Sequence, residues 1–199
     1  MHPDNARMRP GGTSGRTIGP RAASAQAAAV PAALIVGLAL AACSPSLDWR
    51  EVRTPGMAAA GTLPCKPSVS TREVPLAGQT VRMTLMACKA EQLTWALAGA
   101  DVADPSRVGP ALNALREATR ANLGGRFVEV KPVAVRGATP HEAQVRAQVS
   151  GRRQDGAATT AEVVVFSYGT QVFQAVVMGG GAVPEAATAT FFESLRAGP

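Results

Sequence analysis

Apolar residues change their spacing several times along this chain, and each change marks an element. The first apolar stretch is continuous. Val30 to Ala42 holds 13 residues without a charge, after a polar start that carries Arg7, Arg9, Arg16 and Arg21. A permanent membrane span needs about 20 apolar residues. A basic start, a short apolar run and small residues at its end instead make a secretory signal, here residues 1–42. The long basic start leaves Met8 as an alternative to Met1 as the first residue. Residues 44–62 lose all periodicity. They hold Ser, Pro, Gly and an Ala run around Asp48-Trp49-Arg50-Glu51, and read as a tether whose Trp49 docks on the following domain.

From residue 63 the pattern becomes regular. Thr71 to Leu76 and Thr80 to Met86 flank Ala77-Gly78-Gln79, a hairpin. Leu93, Trp95 and Leu97 alternate with smaller residues, as in a half-buried strand. Asp104-Pro105-Ser106 supplies a helix cap and a first-turn proline. Val108, Leu112, Leu115, Thr119 and Leu123 then recur at helical spacing, with Arg116, Glu117 and Arg120 turned outward, until Gly124-Gly125. Four strands follow: Arg126 to Val135 with an edge or bulge at Pro132, His141 to Val149, Ala161 to Tyr168, and Gln171 to Met178. Gly151 to Gly156 forms a hairpin tip, and Gly169-Thr170 a second turn. Gly179-Gly180-Gly181 breaks the sheet, and Glu185 to Leu195 forms a last helix with Ala189, Phe192 and Leu195 on one face and Phe191 beside them. The order βββ-α-ββββ-α predicts an α+β domain over 63–199. It is an antiparallel sheet of about 6–7 strands with two helices packed on one face or end.

Composition changes this picture in one respect. The whole chain has a formal charge of +6 over 199 residues, but residues 43–199 carry 16 basic and 13 acidic side chains, or +3. That surplus is too small and too scattered to indicate nucleic acid. Few aromatic residues argue against a stacking platform for sugars or bases.

The apolar run ends in Leu40-Ala41-Ala42-Cys43, which resembles the lipobox of bacterial lipoproteins. The resemblance implies that Cys43 becomes the first mature residue and carries a diacylglycerol thioether and acyl chains. Each buried methylene contributes about 0.8 kcal/mol to such an anchor. Ser44 after the cysteine, where aspartate is absent, points by the same resemblance to the outer membrane. Cys65 and Cys88 remain. In an oxidising compartment an even pair forms a disulfide, here closing a 24-residue loop around the hairpin. The alternative of a redox or metal pair lacks a Cys-x-x-Cys and a nearby histidine.

Leu63-Pro64-Cys65-Lys66-Pro67 and Phe191-Phe192-Glu193-Ser194-Leu195-Arg196 frame the domain. This frame resembles a group of uncharacterised bacterial, proteobacterial lipoproteins with a Mog1/PsbP-like α/β/α sandwich. The resemblance covers about residues 63–196 and implies binding or assembly roles rather than catalysis.

Other chemistry is sparse. His141 is the single histidine after Cys43 and has no evident partner for acid–base or metal work. Arg152-Arg153 sits at a hairpin tip. The glycines at 179–181 lack the Lys and Ser/Thr of a phosphate loop. Ser150 and Ser167 have no Gly-x-Ser-x-Gly setting. Asp101 and Asp104 suit capping, and Tyr168 suits packing. The sequence therefore predicts no enzyme, no cofactor, no metal and no nucleic acid. It predicts a non-catalytic envelope interaction module, anchored through lipid on Cys43, facing the periplasm and meeting an envelope protein. The alternative is a binder or sensor of a small apolar or lipid ligand held between sheet and helices.

Overall fold

The computed structural model describes residues 47–153, 155–180 and 184–199. The expected export signal and Cys43 lie outside the described residues. In chain order the elements are β1 (Arg50–Arg53), β2 (Ala59–Leu63), β3 (Ser68–Leu76), β4 (Gln79–Ala90) and β5 (Leu93–Asp101). After a 3-10 turn (Pro105–Arg107) come α1 (Val108–Asn122), β6 (Arg126–Pro132), β7 (Val145–Arg152), β8 (Ala158–Tyr168), β9 (Gln171–Gly179), α2 (Glu185–Glu193) and β10 (Arg196–Ala197). The domain is α+β.

Seven of these strands form an antiparallel sheet in the order β3-β4-β5-β9-β8-β7-β6. It consists of two meanders, β3-β4-β5 and β6-β7-β8-β9. The crossover through α1 carries the chain from the middle of the sheet to its far edge, so β9 returns to pair with β5. Pro132, which has no N–H to donate, ends the outer strand β6, and the irregularity in that strand falls between Phe127 and Glu129. Val133 to Val135, expected to prolong it, leave the sheet, and Val135 turns into the apolar layer beneath. His141 to Gln144 form a turn, so β7 begins at Val145. The Gln144 N–H closes that turn on the His141 carbonyl at 3.0 Å.

α1 forms where the spacing demands it. Asp104 accepts hydrogen bonds from the Ser106 N–H at 2.9 Å and the Ser106 hydroxyl at 2.7 Å, which satisfies an otherwise bare donor at the helix start. The Ser106 hydroxyl bond is the first cause holding the Asp104 carboxyl below its usual pKa. Val108, Leu112, Leu115, Thr119 and Leu123 are all buried against the sheet. Gly124 then takes a φ of +51°, a left-handed stop that costs glycine little.

The opposite face of the sheet is covered too, which corrects two expectations. The helices lie on opposite faces, not together on one. Residues 50–53 and 59–62, expected within the tether, lie in strands. β1 and β2 pair with each other, and β2 pairs with β10 at the other end of the chain. Together with α2 they close a second apolar layer. The physical reason is on β5. Leu93, Trp95 and Leu97 on one face, and Ala98 and Ala100 on the other, are all buried, so both faces need a cover. Trp95 is fully buried and meets Trp49 edge-on at 6.0 Å between centroids and Phe191 at 5.7 Å. Trp49 thus docks as expected, but as part of the domain. Ala59, Ala60 and Gly61 are small because β2 lies close under α2 and β5. Gly99 of β5 is glycine for a similar reason, since a Cβ there would stand 2.8 Å from Met57 and Phe173. On α2 the buried set is Ala187, Thr188, Phe191 and Phe192, followed by Leu195; Ala189, expected on that face, is only half-buried. Arg146 seals the layer's rim. It pairs with Glu162 at 2.6 Å and lies 4.8 Å from the centre of the Phe192 ring.

Cys65 and Cys88 form the expected disulfide, with Cα atoms 6.0 Å apart. It pins the β2–β3 connection to β4.

Two outcomes follow from this layering. Trp49→Ala destabilises the folded domain by about 3 kcal/mol in urea unfolding, near the lower end for Trp→Ala because Trp49 is only partly buried. In a mere tether the change would fall within about 0.5 kcal/mol. Replacing both Cys65 and Cys88 by Ser lowers stability by about 3 kcal/mol, the chain-entropy value for a bridge across 23 positions.

Candidate functional site

The strand alternation sets two faces, and α1 covers only half of its own. The helix lies over β7, β8 and β9. Side chains of β4 and β5 on that same face run out from under it: Leu85 opposite Ala98, Ala87 opposite Ala96, and Lys89 opposite Thr94. Leu85, Ala87, Ala96 and Thr94 are each partly exposed, whereas Val163, Val165 and Ala161 under the helix are buried. A groove of about 960 Å³ results.

Its floor is sheet, and the alanines make it low. Ala87, Ala96 and Ala98 leave room that larger residues would fill, and Met83, Val176 and Met178 bound it. One wall is the last two turns of α1, with Ala118, Thr119 and Asn122. That wall is fixed by Gln174, whose Nε2 donates to the Leu115 carbonyl at 2.7 Å and to the Thr119 hydroxyl at 2.8 Å. The opposite rim carries Arg72 of β3 and Lys89 of β4. Among the described residues, neither has a carboxylate within ion-pair distance. Across the sheet, at the same end of the strands as Lys89, Arg153 pairs with Asp155 at 3.0 Å. The Ala157 N–H donated to Asp155, with Arg153 beside it, holds that carboxyl below its usual range. A second depression of about 400 Å³ adjoins the groove. Ala87, Lys89 and Thr94 line both, and Lys66 and the disulfide complete the second.

This arrangement can seat an apolar chain along its floor and an anionic group at its basic rim. Asp155 is the one carboxylate among its lining residues and is already engaged.

Of the residues singled out in the sequence, Arg153 and Gly179 line the groove and Cys65 and Cys88 the adjoining depression; the others lie elsewhere. Cys43 is outside the described residues. His141 accepts the Ala143 N–H on Nδ1 at 3.0 Å, and its ring packs on Gly109 of α1, so it shapes a loop. Arg152 donates to the Gly156 carbonyl at 2.9 Å within the hairpin tip. Asp101 accepts the Ala103 N–H at 2.8 Å. Ser167 is fully buried, with no hydrogen-bond partner for its hydroxyl among the described residues, while Ser150 is exposed on β7. Tyr168 closes β8 at the surface. Gly179 ends β9, and Gly181 is outside the described residues. Among the described residues, no group of three His, Cys, Asp or Glu could hold a metal, and no helix is long and apolar enough to cross a membrane.

The sequence did carry a signal for the groove. Ala96, Ala98 and Ala100 alternate with Leu93, Trp95 and Leu97, so both faces of β5 are apolar but only one is bulky. Small residues on an apolar face mark a close approach or a hollow, and the partial exposure of Ala96 decides for a hollow.

No protein-family model matches the chain, and no curated protein matches it. A solved structure of a protein from Bacteroides thetaiotaomicron VPI-5482 is similar at a TM-score of 0.41 and 12% identity. The likeness covers 75% of this chain and 48% of that one, so the chain spans about half the length of its neighbour. A likeness this distant bears on neither the groove nor its chemistry.

Proposed function

We propose that this chain is a bacterial lipoprotein, anchored by lipid on Cys43 and facing the periplasm, whose domain binds a small lipid-like ligand without transforming it. The groove over β4 and β5 carries this reading. Its volume falls within the range of about 300–1,000 Å³ usual for small-molecule sites, and its floor carries an apolar strip of Ala87, Ala96 and Ala98 among polar residues such as Thr94 and Gln174. The lipobox supports the anchor, and the residue after Cys43 favours the outer membrane. The resemblance to lipoproteins with a Mog1/PsbP-like domain, whose members with known roles bind or assemble rather than catalyse, fits the same reading.

The second reading is contact with another envelope protein. Val128 and Val130 favour it, at 58% and 43% exposure on the outer strand β6, where one edge of the sheet is unpaired.

A fluorescent fatty-acid probe titrated into the purified protein separates the two. Wild-type protein binds the probe, and Ala96→Phe, which fills the floor of the groove, weakens binding at least about tenfold without lowering the unfolding midpoint. Failure of the wild type to bind, together with co-purification of an envelope protein, replaces the ligand reading with the second. Changing Cys43 to Ala moves the protein from the membrane fraction to the soluble fraction; retention in the membrane would refute the anchor.

A further inference from the structure

The groove has a direction relative to the anchor. Its floor runs toward the β4–β5 turn, where Lys89 and Thr94 join it to the depression beside the disulfide. Lys66 lines that depression and is exposed, and among the described residues no carboxylate pairs with Lys66 or Lys89. The described chain also enters at this end. The Asp48 N–H donates to the carbonyl of Pro64, next to Cys65, at 2.9 Å, and Leu47 packs against the second apolar layer.

Chain length then limits where the lipid can be. Only four residue steps separate Cys43 from Leu47, and an extended chain spans at most about 3.6 Å per residue. The acylated residue therefore stays within about 15 Å of Leu47. With β1 and β2 folded into the domain, few residues separate it from Cys43. On the anchor proposed above, the end that carries Lys66 and Lys89 is the one nearer the membrane. The opposite end, with the β3–β4 turn, points away.

We propose that this end of the groove is a mouth for an anionic single-chain lipid drawn from that membrane. Lys66 and Lys89 receive the phosphate headgroup, and the acyl chain lies over Ala87, Ala96 and Ala98. The inference rests on the groove being a ligand site. Charge complementarity selects the occupant, since two ammonium groups with no carboxylate partner among the described residues, at an apolar slot, match a negative head on an apolar tail. A juxtamembrane lysine also gains from the negative surface potential of an anionic leaflet.

The test uses the mature protein and three probes: oleoyl-lysophosphatidylglycerol, oleoyl-lysophosphatidylcholine and glycerol 3-phosphate. The expected order is tight binding of the first, about tenfold weaker binding of the second and no measurable binding of the third. Changing Lys66 and Lys89 together to Gln brings the first probe down to the level of the second. Ala96→Phe weakens both. Equal binding of the two lysolipids, or an unchanged affinity in the double variant, overturns the headgroup assignment while fatty-acid probe binding to the wild type still stands. Binding of glycerol 3-phosphate alone overturns it in favour of a free phosphate site. Loss of all acyl probes in the wild type removes the groove reading itself. For orientation, nitroxide labels at positions 66 and 80 are compared in lipoprotein reconstituted into phosphatidylglycerol-containing vesicles. Relaxation by a lipid-bound paramagnet is expected at 66 and absent at 80; the reverse overturns the proposed mouth.

Discussion

A sheet that is apolar on both faces cannot stand with one face in water, and the rest of this structure answers to that constraint. The burial of Leu93, Trp95 and Leu97 on one side of β5 and Ala98 and Ala100 on the other commits the chain to two covers. α1 supplies the first, through a single stripe of side chains. Among the described residues no second long helix is available, so the other cover is assembled from β1, β2, α2 and β10, which come from both ends of the domain. Trp95 is where these parts meet. Its ring takes Trp49 on one side and Phe191 on another, and its Nε1 donates to the Ala90 carbonyl at 3.4 Å. Aromatic pairs of this kind contribute about 0.5–1.5 kcal/mol beyond the area they bury. The pairings therefore set which pieces meet, while burial supplies most of the stability.

The same constraint explains the groove. A 15-residue helix is too narrow to cover a seven-stranded sheet. The uncovered strip lies over β4 and β5, where small side chains keep the apolar area low. Exposed apolar surface on a folded domain usually has a use, and here Arg72 and Lys89 border it.

Much of the central sheet was legible in the sequence because its signals are local. The hairpin turn at Ala77-Gly78, the turn at Gly169-Thr170, the helical stripe from Val108 to Leu123 and the glycine stop after it each depend on neighbouring residues. Pairing of β5 with β9 and the second cover were not legible in this way. Arg50 to Arg53 and Ala59 to Leu63 are short and poor in large apolar side chains, so periodicity alone gives them no strand character. They are strands because β10 and Phe191 arrive from the far end of the chain to cover them. The disulfide was legible from cysteine parity and compartment. The alanines of β5 signalled either a close approach or a hollow, but which of the two depends on how far α1 extends across the sheet, and that distance is written in no single stretch of residues.

The pairing of β2 with β10 also orders events in time. Arg196 and Ala197 hold Ala60 and Ala59, and the Arg196 guanidinium pairs with Glu51, 145 positions earlier in the chain. A polypeptide made or exported from its N-terminus presents β1 and β2 long before their partner exists. The seven strands can gather around α1 first, with Trp95 and Leu97 still bare on the outside. Contacts so distant in sequence close late. β10 thus acts as a clasp on β2, closing the layer that covers Trp95 and Leu97.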